Sequence, residues 1–206
     1  MMEAAMFRNR MGWTRRSLQV SLVSAALSAG WGVMSSAVAG ELNVDENLIG
    51  TKAPEWEVGT WINSRPLTLK ELRGKVVLIR WWTGPGCPYC IASAPILRDL
   101  DKRYRKKGLV VIGFYHPKSA RPVNGSEVEH LAKDLGIDFP VAVDAEWKTL
   151  NRYLLDEFPD APFTSVSFLI DREGIIRYIH PGGTITAQDG KDLESRVIQL
   201  VDSASP

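Results

Sequence analysis

The chain has 206 residues, with 25 lysines and arginines against 24 aspartates and glutamates, which sets the scale at one folded domain plus an additional segment. With charge this close to balance and no basic run or interleaved aromatic face, a nucleic-acid-binding protein is excluded. The two cysteines, Cys87 and Cys90, allow at most one disulfide within the chain.

The additional segment lies at the front. Residues 1–16 carry Arg8, Arg10, Arg15 and Arg16 against Glu3, residues 18–38 are uncharged, and the stretch ends in Ala37-Val38-Ala39. A basic part, an apolar part and a small-x-small end make residues 1–39 an export signal, with cleavage expected after Ala39. Ser21, Ser24, Ser28, Gly30 and Gly32 dilute the apolar part below the roughly 20 successive apolar residues of a comfortable span, so a retained membrane anchor is the minor alternative. Thr14-Arg15-Arg16-Ser17-Leu18 matches a twin-arginine signal and leaves both the Tat and Sec routes open. Cleavage leaves 21 of the 25 basic and 23 of the 24 acidic residues, a net charge of −2. The expected location is periplasmic or otherwise exported, with no membrane span after cleavage.

Residues 40–50 read as a flexible mature terminus and residues 51–203 as one domain. Residues 61–63 and 67–69 flank Asn63-Ser64-Arg65-Pro66 and are expected to form an edge hairpin. A helical turn at 69–72 stops at Gly74. Residues 75–82 are apolar at nearly every position, as in a central strand covered on both faces. A helix over 87–107 follows, with Ile91, Ala94, Leu97, Leu100 and Tyr104 on one face, Pro95 in its interior and Gly108 as its stop. Residues 109–115 repeat the apolar strand pattern, so strand, crossover helix and strand predict a parallel pair. Ser126 is expected to cap a helix through Leu135, closed by Gly136. A strand at 139–143 and a helix at 146–155 come next. The runs 166–170 and 175–179 flank Asp171-Arg172-Glu173-Gly174 as a hairpin, which makes the sheet mixed. A final helix runs from about 187 to 201. The fold class is α/β.

The chemistry concentrates at Trp81-Trp82-Thr83-Gly84-Pro85-Gly86-Cys87-Pro88-Tyr89-Cys90, where a strand ends in a Gly/Pro turn and a helix opens with Cys-x-x-Cys. Export places the chain in an oxidising compartment, yet a bond closing so short a loop does little to stabilise a fold, so the pair reads as a redox couple. Cys87 at the helix N-terminus, where backbone N–H groups favour negative charge, is the expected nucleophile, and Cys90 the resolving thiol. Pro88 suits the first turn. Zinc would need two further ligands; His116, His130 and His180 are separate in sequence, so no metal is assigned, nor any cofactor. His116 and His180 read as solvated strand-end residues with a possible place on the cysteine rim, and His130 as surface. Trp82 and Tyr89 stand near the thiols as candidates for substrate contact or tuning.

With the motif so placed, the sequence resembles the thioredoxin superfamily, and within it the exported TlpA/ResA-like thiol-disulfide oxidoreductases. The resemblance rests on Leu67-Thr68-Leu69-Lys70-Glu71-Leu72-Arg73-Gly74-Lys75-Val76-Val77-Leu78, on Cys87-Pro88-Tyr89-Cys90, on Ala94-Pro95, and on Ser167-Phe168-Leu169-Ile170-Asp171-Arg172-Glu173-Gly174. Residues 127–143 fit that family's central helix-strand insertion. The resemblance implies a thioredoxin-like mixed sheet flanked by helices, acting on disulfide-containing protein substrates with a further redox partner. Three positions depart from the pattern. Gly86 replaces a tryptophan before the first cysteine, Ser165 or Val166 stands where a cis proline faces the cysteines, and Ser93 replaces an acid. These departures imply an altered substrate face and add Gly86, Pro88, Ser165, Val166 and Gly182 to the positions for substrate contact or tuning. Two other redox readings are a thiol peroxidase, whose Pro-x-x-x-Thr-x-x-Cys pattern is absent because Arg80 and Gly84 occupy its places, and a glutaredoxin-like reductase. A non-catalytic metal-carrying or binding module is the alternative from another class.

Overall fold

The computed structural model describes residues 47–84, 86–119 and 121–203; the segment 1–39 expected to be an export signal, and residues 40–46 of the expected mature terminus, lie outside the described residues. Strand β2 (Val76–Trp82) is buried at every position because it has neighbours on both edges and helices or loops on both faces. Strand β3 (Leu109–Tyr115) pairs with it in parallel from Val76↔Leu109 to Trp82↔Tyr115, and β5 (Ser167–Ile170) pairs antiparallel from Val77↔Ile170 to Arg80↔Ser167. With β1 (Thr60–Ile62), β4 (Val141–Val143) and β6 (Ile176–His180), the mixed sheet has the order β1-β4-β3-β2-β5-β6. The β5–β6 hairpin and the parallel pair agree with the sequence reading.

Alternation along β2 divides the core. Val76, Leu78 and Trp82 point to one face, covered by α1 (Pro88–Tyr104), α2 (Gly125–Asp134) and α4 (Ala187–Asp202) through residues such as Leu97, Val128 and Val197. Val77, Ile79 and Trp81 point to the other, covered by Trp56, Leu69, Leu150 and Tyr153. Helix α1 contains Pro95 and runs into a 3-10 turn at Arg105–Lys107, which Gly108 closes with φ 100°.

The expected amino-terminal hairpin is corrected. Only Thr60–Ile62 becomes a strand, and it pairs antiparallel with β4, Thr60 opposite Val143. The cause is side-chain chemistry. Asn63, at φ 62°, donates its amide to the carbonyls of Ile137 (3.1 Å) and Phe139 (3.2 Å), docking the turn beside β4. At residues 67–69, the Leu67 carbonyl accepts from Trp56 Nε1 (2.6 Å), while the Thr68 and Leu69 N–H groups donate to Glu71 and Glu55 carboxylates. These side chains occupy the groups that a strand ladder would have used.

Two helix starts also move. Asn124, not Ser126, caps α2, its Oδ1 accepting from the Ser126 N–H (3.0 Å) and hydroxyl (2.8 Å). The helix expected from residue 146 begins instead at α3 (Lys148–Leu150), because Trp147 takes φ 62°, and it continues as a π-helix at Asn151–Leu155. Buried Asp144 fixes this junction: Oδ1 accepts from Thr149 N (3.1 Å), and Oδ2 from Leu150 N (2.8 Å) and Trp81 Nε1 (3.3 Å).

The strand-end histidine reading of His116 is corrected as well. It is fully buried, its ring set edge-on to Trp147 at 4.6 Å, and neither imidazole nitrogen has a hydrogen-bond partner. Burial, reinforced by the Lys118 charge, pushes its pKa down to about 3. His180 is likewise buried, whereas His130 is exposed as expected.

Two outcomes follow from these buried groups. Asp144→Ala strands three donors and should destabilise the domain by about 3 kcal/mol, read as a lower urea midpoint with unchanged m-value; a loss under about 1 kcal/mol would contradict the junction role. Because the folded-state pKa of His116 lies below its unfolded value of about 6.5, the unfolded chain binds more protons between the two values. Stability is therefore complete above pH 6.5 and is lost as pH falls toward 3, by about 2 kcal/mol at pH 5 from this residue. Chemical denaturation at pH 7 and pH 5 should show that difference shrinking in His116→Phe, which leaves His180 in place; an unchanged acid loss would refute it.

Candidate active site

Strand β2 ends at Trp82, and the chain turns through Gly84 and Gly86 into α1. Gly86 is exposed with φ 81°, a conformation that side chains with a Cβ rarely adopt, so the lengthened turn depends on glycine there. Cys87 is the N-cap of α1 and Pro88 its exposed first residue, where the missing N–H has no intrahelical partner to lose.

Cys87 and Cys90 are joined as a disulfide with Cα atoms 5.3 Å apart, and the Cys90 N–H donates to Cys87 Sγ at 3.2 Å. A sulfur thus fills the capping place that an oxygen usually takes, at the end of a helix where partial positive charge gathers. Cys87 is half-buried while Cys90 is 4% exposed, so Cys87 is the sulfur-bearing residue that solvent reaches. Such an arrangement can exchange an intramolecular disulfide for a mixed one at the outer sulfur. Ser93, where the family pattern has an acid, is buried and donates its hydroxyl to the carbonyls of Tyr89 (2.8 Å) and Cys90 (3.3 Å). It therefore brings no charge to the site.

The other sequence-selected positions divide into two groups. Trp82 is a buried wall, edge-on to Tyr115 at 5.2 Å, and Gly113 is the space that admits it, since a Cβ there would stand 2.8 Å from Trp82 Nε1. Val166 is fully buried, its carbonyl accepting from Trp81 N at 3.0 Å. Tyr89, Ser165 and Gly182 are linked through a residue that sequence reasoning missed, Phe163. Its ring meets Tyr89 edge-on at 5.4 Å, and it lies so close over the 182–183 turn that a Cβ on Gly182 would come within 2.5 Å of Phe163 Cβ. Gly183 then donates its N–H to Ser165 Oγ at 3.0 Å. Tyr89 is half-covered by this contact. Among the described residues no peptide bond is cis.

Arg80 was also missed as a site residue. It is 1% exposed, on the same face of β2 as Trp82, and donates from Nη1 to Ser167 Oγ (3.0 Å) and from Nη2 to the Gly183 carbonyl (2.7 Å). Burial lowers its pKa to about 10, which leaves it charged at neutral pH. His180, next to it across β5, is held below the usual histidine range first by burial and then by the Arg80 charge. The available signal was a lone charge in an otherwise apolar central strand. Among the described residues there is no group of three or more His, Cys, Asp or Glu side chains arranged to hold a metal ion.

Comparison with known proteins agrees with this geometry. The chain is 34% identical over 149 residues to Protein DipZ of Mycobacterium tuberculosis, a match covering 71% of this chain but only 20% of DipZ, so the chain spans about a fifth of that relative's length. It is 30% identical over 150 residues to the thiol-disulfide oxidoreductase ResA of Geobacillus thermodenitrificans, covering 71% of this chain and 77% of that protein. Among solved structures, that of a putative protein disulfide isomerase from Bacteroides thetaiotaomicron superposes with a TM-score of 0.63 at 25% identity, covering 75% of this chain and 91% of the other. The profile of the AhpC/TSA family matches residues 49–179, more than half of the sequence, and with a mixed sheet that carries a Cys-x-x-Cys helix the chain belongs to that family of thioredoxin-like proteins.

Proposed function

We propose that the chain is an exported thiol-disulfide oxidoreductase that works on protein disulfides through the Cys87/Cys90 couple. The observation that carries the reading is the disulfide itself, with a half-buried Cys87 capping α1 and a buried Cys90 one turn further in. In the reducing direction, the Cys87 thiolate attacks one sulfur of a substrate disulfide and the other leaves as a thiolate. The Cys90 thiolate then attacks Cys87 Sγ. The enzyme disulfide forms, the substrate departs with two electrons and its protons as a dithiol, and a partner dithiol regenerates the reduced enzyme. The opposite direction uses the same steps in reverse.

The Cys90 N–H on Cys87 Sγ and the helix N-terminus both favour sulfur as an anion, which is the form that attacks. Tyr89, Phe163, Pro88, Gly86 and Gly182 form or support the surface around Cys87, and we assign them to substrate contact. Trp82, Ser165 and Val166 act from beneath it. The peroxidase reading is not favoured, because Arg80 is buried in β2 and Gly84 offers no hydroxyl at the threonine place. For the same protein we propose an export signal at 1–39, a mature terminus at 40–50 and the catalytic domain at 51–203. No helix among the described residues is long and apolar enough to cross a membrane.

Insulin reduction with a dithiol donor tests the chemistry. Cys87→Ser should fall to background, while Cys90→Ser should still attack and stop as a mixed disulfide visible by mass spectrometry; full turnover by Cys87→Ser would end the assignment. Export is read separately, from the intact mass of full-length protein expressed in a bacterial host. A periplasmic species beginning at Gly40 is expected, and unprocessed chain retained in the cytoplasm would refute the signal.

A further inference from the structure

Arg80 is the one charged residue in the strand Val76–Trp82, and no carboxylate pairs with it among the described residues. Its two amino groups are held by neutral oxygens, Ser167 Oγ and the Gly183 carbonyl, and Nε has no partner. A buried guanidinium in this state carries a desolvation cost that two neutral hydrogen bonds do not offset. The groups around it are Ser167 of β5, His180 of β6 and the 182–183 turn. Asp189 of α4 stands beyond His180, 3.7 Å from its Nε2.

The location gives the charge a use. Arg80 points to the sheet face that α1 covers, two residues before Trp82, which packs in the same cluster as Cys90 and Cys87. The turn that accepts its hydrogen bond supports Phe163, and Phe163 touches Tyr89 between the cysteines. Opening the disulfide with two electrons and one proton leaves one thiol and one thiolate. That thiolate is a negative charge the reaction adds to the face on which the unpaired cation lies.

We propose that Arg80 is a positioning residue for the redox couple: its uncompensated charge stabilises the thiolate formed when the Cys87–Cys90 disulfide opens, making the pair more oxidising than it would be over a neutral residue. The inference rests on the oxidoreductase reading above. In the exchange it describes, a partner dithiol supplies the two electrons and leaves as a disulfide. At an effective dielectric of about 20, a unit charge acting across roughly 10 Å changes an ionisation constant on the order of tenfold, and the test reads for an effect on that scale.

The test compares Arg80→Gln, which keeps amide donors for Ser167 and Gly183 without the charge, Arg80→Met, and Arg80→Lys, which keeps the charge. Thiolate absorbance at 240 nm gives the thiol titration, and equilibration with reduced and oxidised glutathione gives the redox constant. In whichever neutral variant folds, by near-ultraviolet circular dichroism, the thiol ionisation constant should fall about tenfold. The glutathione equilibrium should move about tenfold toward the protein disulfide, about 30 mV more negative, with the lysine variant within about twofold of the parent. A folded neutral variant with both constants unchanged would overturn the proposal. Should neither neutral variant fold, Ser167→Asp, which sets a carboxylate against the guanidinium and cancels its charge in place, decides: a thiol ionisation constant about tenfold lower than the parent's sustains the proposal, and an unchanged one overturns it. Failure of the underlying reading is distinguishable, since it would appear as absent insulin turnover in the unmodified protein.

Discussion

Everything at the site depends on the burial of β2 between two hydrogen-bonded neighbours. All seven residues of this strand pair with β3 on one edge and four of them, Val77 to Arg80, with β5 on the other, and both faces are covered. Its C-terminal end is therefore held in place, and the turn into α1 starts from it. A disulfide suspended from a helix start could shift with its helix. Here α1 is anchored through Leu97 and Leu100 against the same face that Val76 and Leu78 build, so the sulfur atoms and the sheet move as one packed unit.

The sequence made the central part of this arrangement legible because there the local and global requirements coincide. A continuous apolar run has one low-energy place in an α/β fold, the interior of a sheet covered on both faces, and residues 75–82 and 109–115 both take it. The strand-turn-helix setting of Cys87 and Cys90, the β5–β6 hairpin and the stops at Gly74 and Gly108 were readable for the same reason. The expected hairpin at 61–69 failed because its outcome depended on partners distant in sequence. The Asn63 amide is held by carbonyls of residues 137 and 139, and Trp56 Nε1 takes the Leu67 carbonyl. No local pattern encodes those contacts. Trp147 hid a helix boundary in the same way, since a non-glycine residue at φ 62° carries no sequence signal.

At the site, what escaped sequence reasoning is polar or aromatic and set by tertiary contacts. Arg80 looked like a mismatch in a peroxidase pattern, and only the structure shows it buried and bonded to the 182–183 turn. Phe163 follows Pro162 in a connection with no periodicity, and its relation to Tyr89 arises from the return of the chain 74 residues later. His116 shows the converse. Its position at the end of β3 suggested a solvated rim, but Trp147 folds over it and burial leaves its imidazole neutral.

The face beside the cysteines is where this chain differs most from the pattern that its sequence resembles, and the hydrogen bonds show how. The Val166 carbonyl is engaged by Trp81 N–H, and the Ser165 hydroxyl by Gly183 N–H, so both polar groups are used within the fold. What remains outermost is apolar: Phe163 and Ile91 are exposed, and Tyr89, two residues before Ile91, is half-covered by Phe163. A disulfide that approaches Cys87 therefore meets aromatic and aliphatic edges, while the polar groups beneath hold those edges in place. Glycine at 182 is part of the same construction, because any side chain there would displace Phe163 and with it the contact to Tyr89.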